Sequence, residues 1–110
     1  FLSEHGLGNA IDVAGFDFGA LPRGAKLAEG APRWARGGFK VRLEDHWNAK
    51  GRYAIHARFL RTLARRLLAR PEIFRSLLGP AWPGHHNHFH LDMAPWRTVE
   101  IFRKDAKDAP

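Results

Sequence analysis

The longest regular pattern of apolar positions runs from Arg52 to Arg70. Its apolar residues recur at spacings of three and four, which aligns them along one stripe of a helix, and arginines occupy much of the remaining surface. Pro71 follows, and a proline cannot continue the helical hydrogen-bond ladder. The pattern therefore predicts an amphipathic helix whose apolar stripe consists of Ile55, Phe59, Leu60, Leu63, Leu67 and Leu68.

Shorter stretches alternate between apolar and polar residues, as strands with one buried face do. Strands are predicted over Ile11–Phe18, Phe39–Leu43 and His88–Met93, and a short helix or strand over Glu72–Leu78. The stretch from Gly19 to Gly38 is rich in Gly, Pro and Arg and predicts a long loop. These elements predict an α+β fold, in which a small antiparallel sheet carries the chemistry-bearing residues and the amphipathic helix packs behind it.

The length of 110 residues fits one domain. Beyond Trp96 the chain becomes increasingly charged, so we expect a domain over residues 1–96 and a poorly ordered charged tail over residues 97–110. The first residue is Phe1 rather than Met, and a motif opens at Ser3. We therefore expect that the sequence is a piece of a longer protein and that the domain lacks its N-terminal part.

The composition restricts the classes of function. A formal net charge of +7 favours anionic partners such as nucleic acid, acidic lipid headgroups or an anionic wall polymer, although solvated arginines spread along the chain explain it equally well. The absence of cysteine excludes disulfides, thiolate metal ligands and cysteine catalysis. No run of about 18 apolar residues is present, so no membrane span is expected.

Four of the seven histidines lie in the stretch GHHNHFHLD, at positions 85, 86, 88 and 90. Strand alternation sends His88 and His90 to the same face, roughly 7 Å apart along the backbone. Two imidazoles on one face can share a metal ion, or one can bind it while the other transfers protons. His86 points the other way if the alternation already holds there, which argues against a ligand role.

A second group of candidate ligands lies in SEHGLGNAIDV, near the start of the chain. Gly6 and Gly8 allow a sharp turn that can bring His5 back beside Asp12. Imidazole nitrogen and carboxylate oxygen are both normal zinc ligands, at about 2.0–2.1 Å. One imidazole of the last strand would complete three protein ligands with an open fourth position, the arrangement of a catalytic zinc ion.

These motifs resemble those of a known group of zinc peptidases. Ser3, His5, Gly8, Ala10 and Asp12 match S-x-H-x-x-G-x-A-x-D, a signature of the group that includes lysostaphin, the D-alanyl-D-alanine peptidases and Sonic hedgehog. The stretches SEHGLGNAIDVAGF, FLR at 59–61, LGP at 78–80 and H-x-x-H-F-H-L-D-M-A from 85 resemble one branch more closely, the bacterial extensin-like C-terminal domain. The resemblance covers most of positions 3–95.

The resemblance implies a hedgehog-like or peptidase-like fold and a Zn²⁺ site with His5, Asp12 and His90 as ligands. It also implies that His85 and His88 flank the metal, as do the comparable histidines of the murein endopeptidases in that group. The implied activity is zinc-dependent cleavage of peptide bonds in peptidoglycan. The implied location is therefore periplasmic or secreted, with peptidoglycan or a cell-wall peptide as the partner.

The sequence departs from the group at the general base. The D-alanyl-D-alanine peptidases place a glutamate three residues before the last ligand, and Asn87 occupies that position here. We therefore assign the base to His88 and expect His85 to bind the developing oxyanion or to orient His88. Asp92, two residues after His90, is a lesser candidate as a hydrogen-bond acceptor for a ligand imidazole.

Two alternatives remain open from the sequence. The missing glutamate keeps open a second hypothesis, a non-catalytic zinc-containing module that binds the cell wall. The basic helix allows a third, a nucleic-acid-binding protein, although no specific nucleic-acid motif supports it. Residues outside the motifs are expected to have structural roles: Ser3 in a turn or cap, His46 and His56 as ordinary surface or helix histidines, and Trp47, Trp82 and Trp96 in the core rather than in a substrate groove.

Overall fold

The periodic apolar segment forms a helix in the computed structural model, which describes residues 3–81 and 87–102. The two α-helices are α1 (Leu43–His46) and α2 (Ala54–Leu68), and short 3₁₀ helices cover Arg33–Gly37 and Gly51–Tyr53. None of the helices in these two ranges has both the length and the apolar character needed to cross a membrane. The six strands are β1 (Ala10–Val13), β2 (Gly15–Phe18), β3 (Phe39–Arg42), β4 (Ser76–Leu78), β5 (Phe89–Asp92) and β6 (Thr98–Glu100).

The strands form two small sheets, and the predicted α+β class is confirmed. The larger sheet has the order β1-β5-β4-β6, and the smaller one pairs β2 with β3. All pairs are antiparallel except β4 with β6, which run parallel. The larger sheet is therefore mixed rather than purely antiparallel.

The stretch predicted as one strand over Ile11–Phe18 is two strands in different sheets, so that prediction is wrong. The break is at Ala14, whose carbonyl accepts a hydrogen bond of 2.9 Å from the Leu43 amide at the start of α1. Gly15 then approaches β3 so closely that a Cβ atom on it would lie 2.2 Å from the Val41 carbonyl oxygen. The chain pairs with β5 before Ala14 and with β3 after it. The sequence therefore keeps its alternation of residue types across Ala14, although the backbone hydrogen bonds to β5 end there.

The core lies between the apolar stripe of α2 and one face of the larger sheet. In β5 the side chains of Phe89 and Leu91 are buried in this core, and strand alternation therefore sends His90 and Asp92 to the opposite face. The helix contributes Leu60 and Ala64. The buried cluster consists of Val41, Leu43, Trp47, Leu60, Ala64, Leu77, Phe89, Leu91 and Ile101.

Three further segments clarify the sequence-based predictions. Glu72–Leu78, predicted as a short helix or strand, contains strand β4, and the loop over 19–38 contains only the short 3₁₀ helix. The expected fraying after Trp96 is wrong for residues 98–102, because β6 joins the larger sheet and Ile101 is 1% exposed. The charged residues after Trp96 predict a poorly ordered tail. Pairing of β6 with β4 instead supplies backbone hydrogen bonds that order residues 98–100.

His56 is a helix residue, as expected, but it is buried rather than at the surface. Its ring stacks on Trp34 with centroids 5.4 Å apart and lies 4.4 Å from the ring of His46. Its Nδ1 has no hydrogen-bond partner among the described residues. Burial, and next the charge of nearby His46, lower the pKa of His56, and a backbone hydrogen bond at Tyr53 offsets only part of this.

The place of Ile101 in the core generates a stability prediction. Ile101→Ala should lower the free energy of unfolding by about 2–5 kcal/mol, because it removes buried methyl groups and leaves a cavity. Urea unfolding followed by circular dichroism measures the change. Ile73→Ala, at a site 42% exposed, is the matched control and should change it by under about 1 kcal/mol. Equal small effects of both substitutions would mean that residues 98–102 do not pack.

The buried His56 generates a prediction of pH dependence. Its pKa is lower in the folded than in the unfolded chain, so the unfolded chain binds more protons as the pH falls through 6.5. The free energy of unfolding should therefore decrease toward acid, with at most about 1.4 kcal/mol per pH unit from this group. Urea unfolding at about pH 7.5 and about pH 5.5 should show a smaller decrease for His56→Phe than for wild type. Equal decreases would remove His56 as the cause.

Candidate metal centre

A compact loop presents His5 above the edge of the larger sheet. The Leu7 amide donates to the Ser3 carbonyl at 3.2 Å, and the Asn9 amide donates to the Glu4 carbonyl at 2.8 Å. The Ser3 hydroxyl accepts a hydrogen bond of 3.2 Å from the Gly6 amide, which confirms its expected role in the turn. Gly8 has a φ of 73°, a conformation that suits glycine.

Strand pairing determines where the second and third candidate ligands lie. β1 is an edge strand that pairs with β5 in the register Asp12↔His90. Residues directly opposite each other in an antiparallel pair share a face and have Cβ atoms about 4.5–5.5 Å apart. The Met93 amide donates to the Asn9 carbonyl at 3.0 Å, so the His5 loop is attached to the end of β5. Asp12, His90 and His5 thereby meet on the face opposite the core.

The three side chains converge on a small triangle of atoms. His5 Nε2 lies 3.1 Å from His90 Nδ1 and 3.2 Å from Asp12 Oδ1, and His90 Nδ1 lies 3.2 Å from the same oxygen. Among the described residues, this trio is the group that offers three potential ligand atoms, all within 4.8 Å of one another. The side chains of His5 and Asp12 are 42% and 45% exposed. One side of the triangle is therefore accessible to water.

The buried carboxylate of Asp92 orients His90 from the opposite side. Burial raises the pKa of Asp92, but hydrogen bonds from the Ala94 amide, His90 and Ser76 outweigh it, so the pKa is lowered and the group is an anion. An anionic carboxylate only accepts hydrogen bonds. His90 Nε2, 2.7 Å from Asp92 Oδ2, therefore carries the proton, and Nδ1 of the neutral ring has its lone pair directed at the triangle.

This proton arrangement makes the triangle electron-rich. In a neutral His90 ring the bare Nδ1 faces a carboxylate oxygen at 3.2 Å, and two such acceptors repel each other unless a proton or a cation lies between them. The Nε2–H group of His5 can donate toward both atoms in the absence of a cation. A cation bound by all three atoms would remove this repulsion, because each atom would direct one lone pair at it.

His88 lies beside the triangle but outside it. Its Nε2 is 3.9 Å from Asp12 Oδ1, and its Nδ1 is 2.7 Å from the amide oxygen of Asn87. An amide oxygen accepts, so Nδ1 donates, and in the neutral ring Nε2 carries the lone pair on the side of the triangle. His85, predicted as its catalytic companion, lies outside the described residues, as do His86 and Trp82.

Other sequence-based predictions are sharpened by the structure. Trp47 belongs to the core, as expected, whereas Trp96 is 60% exposed. The sequence indicates Asp92 only as a lesser candidate for a hydrogen bond with His90, and it gives no indication that Ser76 also forms a hydrogen bond with Asp92. The signal for Asp92 is its spacing of two from His90 on a strand. Ser76 gave no sequence signal, because its position depends on the pairing of β4 with β5.

Comparison with known proteins identifies the family. The family model described as extensin-like protein C-terminus matches residues 1–103. The chain belongs to this family. Searches among curated proteins and among solved structures gave no match. The extensin-like family membership therefore covers the whole of the larger sheet, including both segments that supply the triangle.

The contact between Asp92 and His90 generates a prediction for the metal-free protein. Nitrogen-15 NMR of the histidine rings at about pH 8 should show the His90 proton on Nε2 and a bare Nδ1. Asp92→Ala removes the acceptor and should populate the other tautomer, whereas Asp12→Ala should leave the proton on Nε2. A proton on Nδ1 in the wild type would contradict the assigned orientation of the ring.

Proposed function

We propose that the chain is a zinc-dependent hydrolase that cleaves peptide bonds in peptidoglycan and acts in the periplasm or after secretion. The observation that carries this proposal is the triangle formed by His5, Asp12 and His90. Support for the metallopeptidase chemistry comes from the S-x-H-x-x-G-x-A-x-D motif, which resembles that of known zinc peptidases. Two of the three triangle residues belong to that motif.

The donor set fits zinc in chemistry and in size. Two imidazole nitrogens and one carboxylate oxygen are normal zinc ligands, and a tetrahedron with ligand distances of about 2.0–2.1 Å has edges of about 3.3–3.4 Å. The triangle has edges of 3.1, 3.2 and 3.2 Å. Three protein ligands with one side accessible to water are typical of catalytic rather than structural zinc sites.

The carboxylate behind His90 supports the same assignment. Histidines that bind zinc commonly donate their second N–H group to a carboxylate, which holds the tautomer and raises the basicity of the ligand nitrogen. Asp92 occupies that position, at 2.7 Å from His90 Nε2. Because Asp92 is 5% exposed, water competes little for this hydrogen bond.

In the proposed reaction His88 transfers the protons. Zinc, when bound, would polarise the substrate carbonyl and lower the pKa of a water molecule to roughly 7. His88 Nε2, which has its lone pair on the side of the triangle, would accept the proton of the attacking water and pass it to the leaving amine. Asn87 holds the ring in this orientation, and Asp12 has only a binding role.

A specific observation favours a second candidate function. Asn87 stands where the D-alanyl-D-alanine peptidases have a glutamate base, and an amide cannot accept the proton of an attacking water. If His88 does not replace that base, the chain is a zinc-containing module that binds the cell wall without cleaving it. Metal content is the same in both cases, so only turnover separates them.

Digestion of purified peptidoglycan tests the proposal. Zinc-loaded wild-type protein should release peptide fragments detectable by mass spectrometry, and Asp12→Asn should abolish the release through loss of a ligand. His88→Ala should slow it by about 10²–10⁴-fold, the usual contribution of a general base. Asp45→Asn, which neutralises an exposed carboxylate on α1, is the matched control and should leave the rate unchanged.

The outcomes of the digestion separate the candidates. Binding to peptidoglycan without fragments from the zinc-loaded wild type would reject hydrolysis in favour of the binding module. Fragments released equally by wild type and His88→Ala would keep the hydrolase but remove His88 as its base. Fragments released equally by wild type and Asp12→Asn would exclude the triangle as the reaction centre.

A further inference from the structure

A second polar cluster lies next to the triangle, in an open cleft of about 480 Å³. Asp12 lines one part of this cleft, and Asp17 on β2 and Arg42 on β3 line another. The Arg42 Nη2 atom lies 2.7 Å from Asp17 Oδ1, so the two side chains form an ion pair. The chain turns from β1 into β2 between the two groups, which makes the cleft continuous from the triangle to the ion pair.

Arg42 is held in one position by its surroundings. Its Nη1 atom donates to the carbonyl oxygens of Phe16 at 3.3 Å and Val41 at 3.1 Å. Its side chain passes over Gly15, where a Cβ atom would lie 2.8 Å from Arg42 Cδ and 3.0 Å from Nη1. Little conformational entropy remains for this guanidinium to lose when a ligand binds.

The ion pair remains accessible to solvent, with side-chain exposures of 36% for Arg42 and 64% for Asp17. Exposed pairs contribute only about 0–1 kcal/mol to stability, so a fixed guanidinium and a carboxylate can take up ligand groups at small cost. A simple anion in this cleft would meet the carboxylates of Asp12 and Asp17. A simple cation would meet the guanidinium of Arg42.

A group that carries both charges satisfies both residues. Its ammonium can donate to the carboxylate of Asp17, and its carboxylate can accept from the guanidinium of Arg42. We propose that Asp17 and Arg42 form a subsite for a zwitterionic group, with ammonium and carboxylate on one carbon, in the peptide bound at the metal centre. This inference rests on the proposed function for the peptide and for its place at the metal centre, whereas the choice of a zwitterionic group comes from Asp17 and Arg42.

Three small probes with the same spacing between the α-carbon and the terminal charged group or groups test the subsite by binding alone. The α-amides of Nα-acetyl-2,6-diaminopimelic acid, Nα-acetyl-lysine and Nα-acetyl-2-aminopimelic acid carry at the far end both charges, only the ammonium and only the carboxylate, respectively. Each is titrated into the full chain with Zn²⁺ added, and the amide signals of Gly15 and Asp17 are followed by NMR. The zwitterionic probe should bind at least about tenfold tighter than either analogue, as expected for one further charged hydrogen bond.

Two substitutions assign each half of this preference to a residue. Asp17→Asn should reduce the preference for the zwitterion over the 2-aminopimelic probe to about twofold or less, because the acceptor for the ammonium loses its charge. Arg42→Gln should reduce the preference for the zwitterion over the lysine probe to about twofold or less, because the donor for the carboxylate loses its charge. Asp17 is largely exposed, so its substitution is informative even if Arg42→Gln fails to fold, and Asp45→Asn should leave both preferences unchanged.

Equal binding of the three probes, no binding of any of them, or a preference that survives Asp17→Asn would overturn the subsite. The digestion of peptidoglycan is independent of these titrations. A protein that binds the zwitterion selectively but releases no fragments would retain the subsite and lose the proposed hydrolysis. A protein that releases fragments but does not distinguish the probes would retain hydrolysis and lose the subsite.

Discussion

The register of β1 against β5 is the constraint on which the candidate metal centre depends. Asp12 lies directly opposite His90, and both point away from the core. A slip of one residue would turn every side chain of β1 to the other face, so that Asp12 would point to the core side and Ile11 to the polar side. The burial of Phe89 and Leu91 determines which face of β5 is polar. Hydrophobic burial on one face therefore positions the ligands on the other.

Contacts outside the triangle hold its three potential ligand atoms close together. Backbone hydrogen bonds within residues 3–9 close the loop that carries His5, and the Asn9 carbonyl accepts from the Met93 amide at the end of β5. Backbone hydrogen bonds of the fold therefore attach the His5 loop to the strand that carries His90. An ion that binds there would in turn stabilise the folded chain, since the unfolded chain has no such triangle.

Much of the fold follows from local patterns in the sequence, because α2 and β5 have regular periodicity. The candidate ligands could also be predicted from the sequence, since His5, Asp12 and His90 occupy spaced motifs. The long-range pairing of strands could not be predicted in this way. The break at Ala14 arises because its carbonyl bonds to the Leu43 amide, and the order of residues 98–102 arises because β6 pairs with β4. Charge and alternation are local properties, whereas these two features depend on segments about 20 to 30 residues away.

Two neighbouring histidines of one segment are oriented in opposite senses by their partners. The Asp92 carboxylate accepts a hydrogen bond from Nε2–H of His90, so Nδ1 of His90 faces Asp12. The Asn87 amide oxygen accepts one from Nδ1–H of His88, so Nε2 of His88 lies on the side of the triangle. Under the proposed hydrolysis this difference separates a ligand from a proton acceptor without any carboxylate base. The neutral amide of Asn87 orients the ring of His88, so under the proposed hydrolysis the proton transfer falls to an imidazole rather than to a carboxylate.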